Sequence, residues 1–122
     1  MQNILLTGFI NQSVISKFYT IADVFVMCSG SGETWGLSVN EVMNFEKPVL
    51  VSKTSGCSFD LVKEGVNGFT FEEGNINDIA FYLKKILSDN EFQAEAGRKS
   101  LDIIQNFSIE NITINLVAGI HK

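Results

Sequence analysis

The run Val24-Phe25-Val26-Met27-Cys28 most restricts what this chain can become. It is apolar and rich in β-branched residues, and it lacks the alternation of a half-exposed strand, so it reads as a fully buried one. A glycine-containing stretch follows, Ser31-Gly32-Glu33-Thr34-Trp35-Gly36-Leu37-Ser38-Val39-Asn40-Glu41. Leu37, Val42 and Phe45 then continue at roughly helical spacing until Lys47-Pro48 stops the helix. The order is strand, loop, helix. In an open α/β sheet, ligands bind outside the carboxyl ends of the strands and against helix starts. Glu33 in the loop and Glu41 within the helix flank such a place.

The rest of the chain repeats this alternation. Ile4-Leu5-Leu6-Thr7 before Gly8 predicts a first strand almost at the start, as though the domain were cut into. Val14, Ile15, Phe18 and Ile21 predict an amphipathic helix capped by Ser13. Pro48-Val49-Leu50-Val51-Ser52 is a third apolar strand, followed by a loop through Thr54-Ser55-Gly56 and a short helical piece around Asp60-Leu61-Val62. Glu64-Gly65-Val66-Asn67-Gly68 has turn chemistry, and Phe69-Thr70-Phe71 alternates as a short edge strand. Ile76, Ile79, Ala80, Leu83, Ile86 and Leu87 form the clearest helical stripe, capped near Asn75. A further helix runs from Glu91 to Gln105, weakened by about 1 kcal/mol at Gly97, and Ser108 caps a last segment through Leu116. Strands alternating with helices imply one α/β domain over residues 1–122, a parallel sheet with helices on both faces.

Charge and composition narrow the function. A net charge of −5 without clustered Lys and Arg argues against nucleic acid as a partner. Cys28 and Cys57 lack metal-type spacing, so buried, reduced thiols in a reducing compartment are expected. No stretch approaches the roughly 20 apolar residues that span a bilayer, and the first residues carry no basic, apolar leader pattern. The expectation is a soluble domain. Sequons at Asn11, Asn106 and Asn111 arise easily by chance in an Asn-rich chain.

Gly30-Ser31-Gly32 lacks the third glycine of a dinucleotide fingerprint at the right place, since Gly36 falls one residue late. No G-x-S-x-G is present, and the single histidine, His121, lies at the tail, which removes a Ser-His-Asp site. A carboxylate can chelate adjacent hydroxyls of a sugar or ribose, which makes Glu33 and Glu41 candidates for a diol. The plainer alternative is that Glu41 is a solvated helix residue and Glu33 complements the helix dipole. Trp35 is likewise open to a core or a stacking role.

The whole stretch from Glu33 to Met43 resembles the E-x7-E signature of glycosyltransferase family 4, retaining enzymes of the two-domain GT-B fold, in its E-T-W-G-L-x-V-N-E-A-M form. The surrounding segments agree. Ala22-Asp23-Val24-Phe25-Val26 is similar to the family's strand entry, Gly56-Cys57-Ser58-Phe59-Asp60-Leu61-Val62 to its G-C-A-P-D-L-V loop, and Glu64-Gly65-Val66-Asn67-Gly68-Phe69 to its E-G-x-N-G-F turn. Three departures stand out: Glu46 replaces a helix-ending glycine, Asn44-Phe45 a small pair, and Ser58-Phe59 an Ala-Pro pair.

The resemblance implies that this chain is most of a Rossmann-like C-terminal domain, N-terminally truncated, that binds a nucleotide-sugar donor. It implies that Glu33 meets donor-sugar hydroxyls at the reaction centre, as the catalytic candidate, and that Glu41 holds the ribose hydroxyls. The backbone around Gly36, Leu37 and Ser38 would meet the diphosphate or sugar. No metal and no other cofactor is expected. The Arg and Lys that neutralise the departing diphosphate would lie upstream of Asp23, and the acceptor would sit on a missing N-terminal domain. The isolated chain is therefore expected to be inactive. A parent enzyme of cell-surface polysaccharide or glycan synthesis would work in the cytoplasm, with room for peripheral association at the inner membrane face. The alternative is a non-catalytic α/β nucleotide-binding or regulatory interaction module.

Overall fold

A computed structural model describes residues 4–28, 37–107 and 117. Three strands, β1 (Phe25–Met27), β2 (Val49–Ser52) and β3 (Gly68–Phe71), form a parallel sheet in the order β1-β2-β3. Val26 lies beside Leu50, and Val51 beside Thr70. Among the described residues five helices accompany them: α1 (Gln12–Ile21), α2 (Leu37–Met43), α3 (Ser58–Leu61), α4 (Ile76–Leu87) and α5 (Asn90–Gln105). The α/β reading with a parallel sheet holds, and β3 is an edge among the described strands.

Side-chain alternation on the central strand divides the interior in two. Val49 and Val51 of β2 join Val39, Val42 and Met43 of α2, Leu61 of α3 and Ile104 of α5. Leu50 points the other way, with Phe69 and Phe71 of β3 and Ile86 of α4. Helices therefore cover both faces. All four residues of β2 are buried, and each large apolar one contributes about 1.5–3 kcal/mol relative to exposure. Helix α5 serves both layers, because Phe92 near its start packs with the α4 side and Ile104 near its end with the α2 side.

Two predicted caps differ in outcome. Asn75 Oδ1 accepts a hydrogen bond from the Asp78 amide at 3.0 Å and starts α4. Asn11, rather than Ser13, occupies the cap position of α1, and its side chain makes no capping bond. Asp89 Oδ1 accepts from the Phe92 amide at 3.0 Å, so α5 begins a residue before the predicted Glu91.

Four expectations need correction. Residues 4–7 form no strand; Leu5 and Leu6 are 82% and 90% exposed, since an extended segment becomes a strand only by pairing, and this one pairs with nothing among the described residues. Strand β1 is half-buried rather than fully buried, because it is an edge among the described strands. The thiol of Cys28 is exposed while that of Cys57 is buried, and no disulfide joins them. Finally, the buried side of α1 keeps only part of the predicted stripe: Ile15 packs against the core, but Val14, Phe18 and Ile21 are exposed, and Tyr19 is the buried residue. Glu33, Trp35, Gly36 and the predicted segment from Ser108 to Leu116 lie outside the described residues.

Candidate functional site

Helix α2 buries Val39, Val42 and Met43, residues spaced three and four apart, against the sheet and α5. That choice of inner face fixes the outer one. Leu37, Ser38 and Glu41 are also spaced three and four apart, and together they line a cleft. With Ile10, Gln12 and Tyr19 from the segment before β1, they enclose a space of ≈ 310 Å³. Leu37 is 68% exposed there and belongs to the cleft wall.

Glu41 is half-buried, and its Oε2 accepts a hydrogen bond from the Tyr19 hydroxyl at 2.9 Å. The plain picture of a solvated helix carboxylate therefore does not hold. The Tyr19 ring is fixed in turn, edge-on to Phe25 of β1 at 6.2 Å between centroids and tilted against Phe45 at 5.6 Å. Burial, and then the bond to Glu41 with its negative charge, push the Tyr19 phenol above its ordinary value, while a bond with Ser38 acts in the opposite direction. Three residues from two helices thus share one polar contact.

Of the residues singled out by sequence, Leu37, Ser38 and Glu41 come together in this cleft. Glu33 and Gly36 lie outside the described residues. Tyr19 is the addition, and Phe45 packs against its ring. The signal for Tyr19 was its four-residue spacing from Ile15, which shares its buried side of α1. A larger hollow of ≈ 820 Å³ runs along α4 from Phe81 to Ser88. Among the described residues its walls come from one helix and its cap residue, and these bring no groups together from separate elements.

The sequence of residues 1–101 matches the family described as glycosyl transferases group 1. The sulfoquinovosyl transferase SQD2 of Arabidopsis thaliana is 33% identical over 104 residues, which are 83% of this chain and 20% of that protein. The C-terminal domain of the group 1 glycosyl transferase LpcC from Francisella tularensis superposes with a TM-score of 0.73 at 25% identity, over 84% of this chain and 52% of that one. The Anabaena protein HepE, solved in complex with UDP, superposes with a TM-score of 0.77 at 25% identity, over 88% of this chain and 30% of that one. The chain spans between 18% and 30% of the length of the curated relatives it matches. The architecture is that of GT-B glycosyltransferases. With a cleft built on the helix that carries Glu41 and a family match over most of its length, this chain belongs to the group 1 glycosyl transferases.

Proposed function

We propose that this chain is the donor-binding part of a retaining, family 4 glycosyltransferase. The parent enzyme moves a sugar from a nucleoside-diphosphate sugar to an acceptor hydroxyl, in the synthesis of cell-surface polysaccharide or another glycan. The observation that carries the reading is Glu41, oriented by a hydrogen bond and standing in the wall of a cleft. A carboxylate has about four lone-pair positions, and Tyr19 uses one of them, which leaves room for both hydroxyls of a ribose. The UDP in the HepE complex supports a nucleotide as the ligand.

The remaining roles rest on the family resemblance. Glu33 bonds donor-sugar hydroxyls at the reaction centre and is the catalytic candidate in this chain. The backbone at Gly36, Leu37 and Ser38 meets the diphosphate or sugar. The reading assigns no metal; positive side chains upstream of Asp23 neutralise the departing diphosphate, and an N-terminal domain presents the acceptor. The cytoplasm, with peripheral contact to the inner face of a membrane, is the proposed location. No helix among the described residues is long and apolar enough to cross one.

Calorimetric titration of UDP, GDP and ADP onto the chain and onto Glu41→Ala tests the donor role. One nucleotide should bind the wild type, and Glu41→Ala should weaken it about tenfold or more, the usual cost of losing a hydrogen bond to a charged group. Equal binding by the two proteins ends the ribose role of Glu41.

A further inference from the structure

We infer that Tyr19 is a positioning residue for the donor nucleotide, acting through Glu41: its hydroxyl holds the carboxylate in the orientation that receives the ribose. The inference rests on the ribose role proposed for Glu41 and names the group that makes this role possible. Glutamate is a flexible side chain, and ordering it on binding costs part of the affinity. Here the ordering precedes the ligand. Oε2 is fixed by a 2.9 Å bond, and the donor of that bond is itself immobile, because Tyr19 is only 8% exposed and is packed by Phe25 and Phe45.

The placement is selective as well as rigid. Tyr19 comes from α1 and Glu41 from α2, and both line the same cleft, so the bond crosses between elements at the place a ligand would enter. Its donor is a neutral phenol, which orients the carboxylate without cancelling its charge. A Lys or Arg there would compete with the ribose for the same charge. The raised ionisation of Tyr19 keeps the hydroxyl a donor throughout the physiological range. Phe45, one of the departures from the family pattern, supplies one of the walls that hold the ring.

The test compares UDP with 2′,3′-dideoxyuridine diphosphate, by calorimetry, on the wild type, Tyr19→Phe, Glu41→Gln and the double variant. Tyr19→Phe keeps the ring and removes only the hydroxyl. It should weaken UDP about three- to tenfold, the loss expected from freeing one ordered side chain, and leave the dideoxy nucleotide unchanged. The double variant should bind UDP no more weakly than Glu41→Gln alone, since the two residues act as one unit. Unchanged UDP binding by Tyr19→Phe, equal loss for both nucleotides, or additive losses would each overturn the positioning role while Glu41→Gln still reports on the ribose role. If Glu41→Gln binds UDP like the wild type, the ribose role falls first and the inference with it; a wild type that binds GDP or ADP instead moves the same comparison to that nucleotide and its dideoxy form, and one that binds none of the three ends the donor reading. A ligand-free measurement guards against a poorly folded Tyr19→Phe: the Tyr19 phenol, followed by carbon-13 NMR, should ionise at lower pH in Glu41→Gln than in the wild type. No change there also overturns the contact.

Discussion

Glu46 lies at φ 58°, in the left-handed region where side chains other than glycine are strained. Its position was legible in the sequence, because a helix running into Lys47-Pro48 must end in a sharp turn and the family pattern places a glycine there. Glu46→Gly should raise the melting temperature by about 3–5 °C, the equivalent of roughly 1 kcal/mol in a domain of this size, by circular dichroism. A fall would show that the turn carries no strain. Tyr19 was less legible. Counting apolar residues on α1 favours Val14, Ile15, Phe18 and Ile21, yet of these only Ile15 packs inward, and beside it the structure buries a ring whose hydroxyl needs a partner, which sits on another helix. Its raised pKa gives a signed prediction. A group that holds its proton more tightly when folded stabilises fully below its unfolded value near 10, and this stabilisation is lost as pH climbs through the folded value. Urea midpoints measured from pH 8 to 11 should fall more steeply above pH 10 for the wild type than for Tyr19→Phe. Parallel curves would contradict the shift.

Helix α5 shows why element boundaries were easier to read than element contacts. Its apolar positions are visible in sequence, and Gly97 looks like a simple weakness worth about 1 kcal/mol. In the fold it is the point of contact between elements. A Cβ at Gly97 would lie 2.1 Å from the carbonyl oxygen of Glu46, so the helix reaches the turn after α2 only because no side chain intervenes. Gly97→Ala should therefore destabilise by about 2 kcal/mol or more in urea unfolding, against the gain that helix propensity alone predicts. A rise in the midpoint would mean that α5 can retreat freely. Asn67 has a comparable office in the turn before β3. Its side-chain oxygen accepts from the Lys63 amide at 2.7 Å, and its amide nitrogen donates to the Leu61 carbonyl at 2.9 Å and to Ser100 Oγ at 3.4 Å. Sequence marks Asn67 as a turn residue but cannot reveal that it is fully buried and tied to α5. Asn67→Ala should cost about 2–4 kcal/mol by the same measurement, because several buried groups lose partners together; a cost under about 0.5 kcal/mol would show that water replaces them. The misread strand at residues 4–7 has a similar cause. Strand character belongs to a pair, and apolar residues alone do not supply the partner.

At the scale of the whole molecule, the three-layer α/β arrangement was legible because periodicity separates strands from helices and alternation on β2 divides the two faces. The candidate site was legible only in part: Glu41, Ser38 and Leu37 line one cleft, while the order of α1 against α2, which brings Tyr19 to Glu41, depends on packing that no local pattern encodes. The charge of the cleft also bears on activity. None of the described residues that line it is Lys or Arg. The 122-residue chain assayed alone should release no nucleoside diphosphate from UDP-glucose, UDP-N-acetylglucosamine or GDP-mannose in the presence of mixed acceptors. Measurable turnover would overturn the division of labour between donor binding and leaving-group stabilisation. The contact of Gly97 with Glu46, and of Ile104 with the α2 side of the core, has a consequence in time as well as in space. The cover of α2 is made about 60 residues after α2 itself, a delay of roughly 3–12 s at about 5–20 residues per second. During translation, Val39, Val42 and Met43 can pack on β1, β2 and α3 as these are made, but their α5 side stays open on the nascent chain, and the helix that carries Glu41 is enclosed only when the ribosome delivers α5.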